Sequence, residues 1–143
     1  MKHGYGMYMY RSGQQYEGTY AYDKREGNGR FDYGRDGNGA YYDGEWSNSD
    51  RYGNGVEQFP DGSIYEGENQ YGQHHGQGSL TLVNNKDKLV GIWEYGLFIS
   101  GNHLDMYGRL KGVVQDGGDN INACDLSSSN TVTTNESSNI SVD

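Results

Sequence analysis

Over the first hundred residues, aromatic and glycine positions alternate with charged or polar ones. Tyr16, Gly18 and Tyr20 enclose Glu17 and Thr19; Tyr42, Gly44 and Trp46 enclose Asp43 and Glu45; Tyr65 and Gly67 are followed by Glu66 and Glu68 in the same alternation. A period of two is the signature of strands with one covered and one wet face. Helix is disfavoured, since each glycine in a helix interior costs about 1 kcal/mol relative to alanine.

The alternation is organised as a repeat. Aligned on aromatic-x-Gly-x-aromatic, the starts are Tyr16, Tyr42, Tyr65 and, with an aliphatic residue in the first place, Leu89. Paired glycines follow at offsets of 11 and 13: Gly27 and Gly29, Gly53 and Gly55, Gly76 and Gly78. Offsets of 15 and 17 carry Phe31 and Tyr33, then Glu57 and Phe59, then Leu80 and Leu82. Gly4, Gly6, Tyr8 and Tyr10 form the back half of a further copy, and the period is 23 residues where no insertion intervenes, as from Tyr42 to Tyr65. Such periodicity points to stacked supersecondary units.

Pairing the strands across Arg11–Gln15 predicts Tyr10 opposite Tyr16, Tyr8 opposite Gly18 and Gly6 opposite Tyr20. Across Pro60–Ser63 the same arithmetic places Phe59 opposite Tyr65, Glu57 opposite Gly67 and Gly55 opposite Asn69. Large rings then tend to lie over a glycine of the neighbouring strand, which explains why glycines sit inside strands, where they ordinarily weaken them. Rings that bury roughly 150 to 250 Å² each let a sheet cover its own face with few aliphatic residues.

The residues Tyr42-Asp43-Gly44-Glu45-Trp46, the pair Gly53-x-Gly55, and Pro60-Asp61-Gly62-Ser63-Ile64-Tyr65-Glu66-Gly67-Glu68 resemble MORN repeats (membrane occupation and recognition nexus) over about residues 3–101. The resemblance implies an all-β fold: an elongated, single-layer antiparallel sheet of consecutive hairpins with an aromatic-lined groove. Carried over position by position, it implies a partner-binding groove of Tyr8, Tyr10, Tyr16, Tyr20, Phe31, Tyr33, Tyr42, Trp46, Phe59, Tyr65 and Trp93.

Three regions are expected. Residues 1–101 form the repeat sheet, as a half repeat, three repeats and a degenerate terminal repeat. Residues 102–114 form a C-terminal cap, at the end of an aliphatic stretch running from Leu80 to Val114; solenoids need such atypical end units. Residues 115–143 read as a disordered Ser/Asn/Thr-rich tail. The segment Gly34–Tyr41 holds three extra residues, predicting a longer and more mobile loop, and the strand at Lys2–Tyr10 is expected to be an open edge available for pairing with another chain. Glu57 and Asn69 replace rings within one hairpin and read either as a polar notch that contacts a partner or as drift.

Charge and composition narrow the function. The 143 residues carry 11 basic and 20 acidic side chains, net −9, with all 11 basic residues before position 112 and five acids after it. Nucleic acid is excluded as the main partner, because phosphate recognition needs clustered Lys and Arg. Anionic lipid is disfavoured for the same reason. Cys124 is the single cysteine, so no internal disulfide forms; with no apolar signal segment or membrane span, a cytoplasmic protein is expected, and the sequons at Asn135 and Asn139 are read as unmodified.

Catalytic chemistry is not evident, and no enzyme activity or cofactor is expected. Gly34-x-x-Gly37-x-Gly39 lacks the spacing of a phosphate-binding loop, and Asp32, Asp36 and Asn38 lack the glycine and terminal glutamate of a calcium loop. His74 and His75 read as a solvated loop pair without a third metal ligand, and Cys124 has no neighbour that would activate it. Glu17, Asp43, Glu45, Glu66 and Glu68 read as a solvated outer face.

The expected function is a non-catalytic scaffold or adaptor that binds a helical or extended protein segment, at the cytoskeleton, the cilium or the cytoplasmic membrane face as the resemblance implies. Homodimerisation through the sheet or its N-terminal edge is a further expectation. The alternative is a phospholipid-binding module.

Overall fold

The computed structural model of the chain describes residues 1–114, 121–122 and 140–142. Ten strands follow one another as β1 (Gly4–Met9), β2 (Gln15–Ala21), β3 (Lys24–Asp32), β4 (Tyr41–Ser47), β5 (Asp50–Gln58), β6 (Ile64–Gln70), β7 (Gln73–Thr81), β8 (Lys88–Glu94), β9 (Leu97–Leu104) and β10 (Leu110–Val114). Every neighbour in space is the neighbour in sequence, and all pairs are antiparallel. The expected single sheet of consecutive hairpins is what the chain forms. Two short strands complete it: β11 (Ile121–Asn122) pairs with β9, and β12 (Ile140–Val142) with β10. The remainder of the expected tail, with Cys124, Asn135 and Asn139, lies outside the described residues.

Hairpins alternate between two kinds of turn. Within a repeat, two residues at positive φ close the strands: Tyr22–Asp23, Asn48–Ser49, Tyr71–Gly72 and Tyr95–Gly96. This is the twist-matched turn favoured by short hairpins. Between repeats, Tyr10 N–H donates to Gln14 O and Gly13 N–H to Tyr10 O, with Gly13 at φ 89°. Phe59, Gly62 and Ser63 repeat that arrangement.

These three-residue loops correct the expected register by two residues. Tyr8, not Tyr10, stands opposite Tyr16; Gly6 faces Gly18 and Gly4 faces Tyr20. At the second such hairpin Glu57 faces Tyr65, Gly55 faces Gly67 and Gly53 faces Asn69. Glycine therefore pairs with glycine, and the pairing continues as one row across nine strands: Gly6, Gly18, Gly29, Gly44, Gly55, Gly67, Gly78, Gly91 and Gly101.

Rings do lie over glycines, but diagonally. Tyr42 leans along its own strand so that its ring crosses Gly55, where an added Cβ would come 2.4 Å from the hydroxyl. Tyr16 covers Gly29 and Tyr65 covers Gly78 in the same way. The first glycine of each pair has another cause. A bulge opens opposite Glu45, leaving Gly53 at φ 71° with the Glu45 carboxylate where a Cβ would stand. Glu45 accepts the Asn54 N–H at 2.6 Å, and Glu68 accepts that of Gln77 at 2.6 Å. Those two outer-face acids are thus backbone ligands of the bulges, a correction to the reading of a merely solvated face.

The insertion between β3 and β4 forms a longer loop, as expected, but a bonded one. A 3₁₀ turn at Arg35–Gly37 is closed by Tyr33 N–H to Ala40 O at 3.1 Å and tied to the next loop by Asn38 Nδ2 donating to Pro60 O at 3.0 Å. At the other end β9 runs across residue 101, so the last repeat and the cap share a strand. Strand β1 pairs only with β2 among the described residues and exposes Tyr5, Met7 and Met9.

Candidate functional site: an aromatic groove with a charged break

The covered face carries two clusters of rings. Tyr16, Tyr20, Phe31, Tyr42 and Trp46 form the first, with Tyr10 and Tyr33 packed on it. Tyr65, Leu80, Leu82, Leu89, Trp93, Phe98 and Val114 form the second, with Phe59 at its margin. Edge-to-face pairs link the rings of the first cluster: Tyr16 of β2 to Trp46 of β4 at 5.6 Å, and Tyr42 to Trp46 along β4 at 5.1 Å. Such contacts add about 0.5 to 1.5 kcal/mol each beyond area burial.

Five polar tips on this floor have a repeated destination, and the Tyr20 hydroxyl is buried without a partner. The hydroxyls of Tyr16, Tyr42 and Tyr65 donate to the carbonyl oxygens of Thr19, Glu45 and Glu68 at 3.0, 2.9 and 2.7 Å. Indole N–H groups of Trp46 and Trp93 donate to Gly29 O and Gly78 O at 2.9 and 3.1 Å. Burial pushes the phenols of Tyr16 and Tyr42 up to about 12, and that of Tyr65 higher still.

The sequence-derived groove positions therefore divide by depth. Tyr16, Tyr42, Tyr65 and Trp93 are fully buried, and Tyr20, Phe31 and Trp46 nearly so; they make the floor. Tyr10, Tyr33 and Phe59 are partly buried, and Tyr8 is 38% exposed on β1. These four form the margin of the groove, and Phe31 and Trp46 line a cavity beside Tyr33.

Between the clusters lies a charged break. Glu57 is 8% exposed, with one carboxylate oxygen 2.7 Å from Arg51 Nη1 and the other 3.0 Å from His74 Nε2. The His74 ring stacks on Tyr65 at 3.7 Å and is 6% exposed, so the expected solvated loop pair is corrected: only His75 turns outward, against Tyr95. Burial opposes the charge on Glu57, but the His74 hydrogen bond and the Arg51 charge outweigh it and hold its carboxyl below the ordinary value of 4.5. Among the described residues no three His, Cys, Asp or Glu side chains converge in a way that could hold a metal ion. A second set is centred on buried Asp87: buried His103 at 2.8 Å and the half-exposed Lys111 at 2.6 Å tie β9 and β10 to the loop before β8.

Arg25, Arg51 and His74 are inward-facing positions that the repeat alignment passed over. Each stands nine residues after its start tyrosine and in phase with the inward-facing glycines. Arg25 lies over Trp46 at 4.7 Å and Phe31 at 5.1 Å and donates from Nη2 to Ser49 O at 2.9 Å. Cation and ring attract through the ring quadrupole, more strongly where water is excluded. Extending the period-two phase beyond the paired glycines finds all three.

Comparison with known proteins agrees with this architecture. The MORN repeat matches four times, over residues 1–15, 16–37, 42–64 and 65–86, more than half of the chain. Alsin of Homo sapiens is 36% identical over 61 residues, covering 40% of this chain and 4% of its own length, and Alsin of Mus musculus gives the same figures. The chain thus spans a small part of the curated relatives that it matches.

Proposed function

The chain belongs to the MORN-repeat family, and from that premise we propose that it is a non-catalytic scaffold or adaptor whose groove binds a protein segment, helical or extended. The observation that carries the proposal is the depth profile of the rings. The floor rings are buried, and the polar tips of Tyr16, Tyr42, Tyr65, Trp46 and Trp93 are taken up by backbone carbonyls, whereas Tyr8, Tyr10, Tyr33 and Phe59 keep apolar surface at the margin. Tyrosine supplies contact area with little side-chain entropy to lose and a polar tip, the profile of an interaction hot spot. No helix among the described residues is long and apolar enough to cross a membrane, and the basic side chains of the groove stand one per repeat rather than as a lipid-headgroup cluster. Association with the cytoskeleton, the cilium or the inner membrane face belongs to this proposal, as does a homodimer formed through β1.

The test compares the chain with a Tyr10→Ala/Tyr33→Ala/Phe59→Ala variant in affinity capture from lysate and in vesicle flotation. The variant is chosen from ring positions at the margin, so that circular dichroism stays unchanged. Loss of a captured protein with retained fold supports the groove. Capture unaffected by the variant, or vesicle binding alone, sinks the proposal.

A further inference from the structure

Arg25 and Arg51 occupy the same place in successive repeats, opposite Tyr20 and Trp46 respectively across the bulge. Their surroundings differ in one respect. Six residues along its strand Arg51 meets the Glu57 carboxylate at 2.7 Å, whereas Arg25 meets the ring of Phe31. No ion pair forms at Arg25 among the described residues, and its Nε–H is buried without an acceptor. A buried donor left unpaired is costly, and a partly desolvated cation gains more from a counter-ion than a surface one.

Beside this guanidinium the groove opens into a cavity of about 230 Å³ lined by Arg25, Phe31, Tyr33, Trp46 and Arg51. Asp50 also lines it but pairs with neither arginine. The neighbouring repeat shows what completes such a site, because there the chain itself supplies a carboxylate.

We infer that this cavity receives an aspartate or glutamate side chain of the partner segment, its carboxylate bound to Arg25 as that of Glu57 is bound to Arg51, with flanking apolar residues on Tyr33 and Phe31. The inference rests on the groove being a protein-binding site and adds the chemistry of its occupant. An acidic peptide fits better than an anionic membrane. Among the described residues that line the cavity, Arg25 is the one cation without an ion pair and lies recessed among rings, and the chain as a whole carries net −9, which opposes approach to a negative surface.

The experiment is selection of a displayed random peptide library on the full chain. Selected peptides are then measured against the wild type and Arg25→Gln, each with the native acid and with its amide. The expected result is an Asp or Glu fixed at one position between apolar residues, with affinity falling about tenfold or more when either the acid or Arg25 is neutralised. Neutralising the second partner then adds little, the mark of a direct pair. The peptide-side change leaves the protein untouched, so the result stands even if Arg25→Gln loosens the fold. Peptides that bind without a fixed acid, or that lose equally with acid and amide, overturn the carboxylate pocket while leaving the groove. Failure to select any peptide overturns both. Phosphatidylcholine–phosphatidylserine vesicles binding in an Arg25-dependent manner overturn the peptide in favour of lipid.

Discussion

The hydroxyl of Tyr42 donates to the carbonyl oxygen of Glu45, three residues ahead on its own strand, at 2.9 Å. To reach it, the ring must lie flat across the place where Gly55 would carry a side chain. Tyr16 and Tyr65 repeat both halves of the arrangement, so the spacing of tyrosine and glycine expresses one packing event used three times.

Substitution tests it by position. Gly55→Ala sets a methyl 2.4 Å from the Tyr42 hydroxyl and is expected to destabilise the chain by about 3 kcal/mol, as overpacking does. Gly6→Ala, in the same glycine row with nothing within 4 Å of its would-be Cβ, is expected to change little. Urea denaturation of both variants checks the difference, and equal losses would falsify the diagonal ring packing.

Glu57→Gln removes a carboxylate on which Arg51 and His74 both depend. The expected cost at neutral pH is on the order of 3 kcal/mol, since breaking a buried pair leaves charge uncompensated. Because the folded carboxyl titrates below 4.5, its contribution is fully present above that pH and fades as pH falls through the lower folded value. The stability gap between wild type and variant should therefore narrow in acid. A gap constant from neutral pH to strong acid contradicts the ion pair.

Alkali acts through the floor tyrosines. Phenols raised from 10 to about 12 in Tyr16 and Tyr42 stabilise the fold fully below pH 10, and that contribution is lost as pH rises toward 12. Unfolding above pH 10 should coincide with a late step in the tyrosinate absorbance. Complete tyrosine titration before any loss of sheet signal would show that these hydroxyls are open to water.

Phe31→Glu and Phe31→Gln give a further comparison. A carboxylate at this nearly buried position ordinarily costs more than an amide. Here Arg25 lies over it, in the relation of Arg51 to Glu57, so Phe31→Glu is expected to be the more stable of the two at neutral pH, with that advantage lost in strong acid. The reverse order in thermal melts at neutral pH means that Arg25 cannot accept a counter-ion there.

Much of this was legible from the chain. Alternation gave the strands, the spacing of glycines gave the repeat, and the ring-over-glycine relation followed from both. Register did not follow, because it depends on how many residues the loop at Gly13 leaves unpaired, and a three-residue loop and a five-residue loop satisfy the same alternation. The inward course of Arg25, Arg51 and His74 was hidden by their polarity. Charged residues beside a turn are ordinarily solvated, and only the cation–ring contacts and Glu57 make these positions interior. His74 shows the cost of reading a residue type without its phase.

The glycine row has a mechanical meaning as well. Nine residues without side chains, aligned from Gly6 to Gly101, give the sheet a crease along which bending meets no steric resistance of its own. What stiffens the crease is the set of three phenol straps lying across it, one per repeat, at Tyr16, Tyr42 and Tyr65. Each ring is held in that position by a hydroxyl-to-carbonyl bond within its own strand, so the filling of the crease depends on side chains rather than on the backbone. Removing the strap oxygens while keeping the rings, as in Tyr→Phe at these positions, is expected to loosen the rings over the crease.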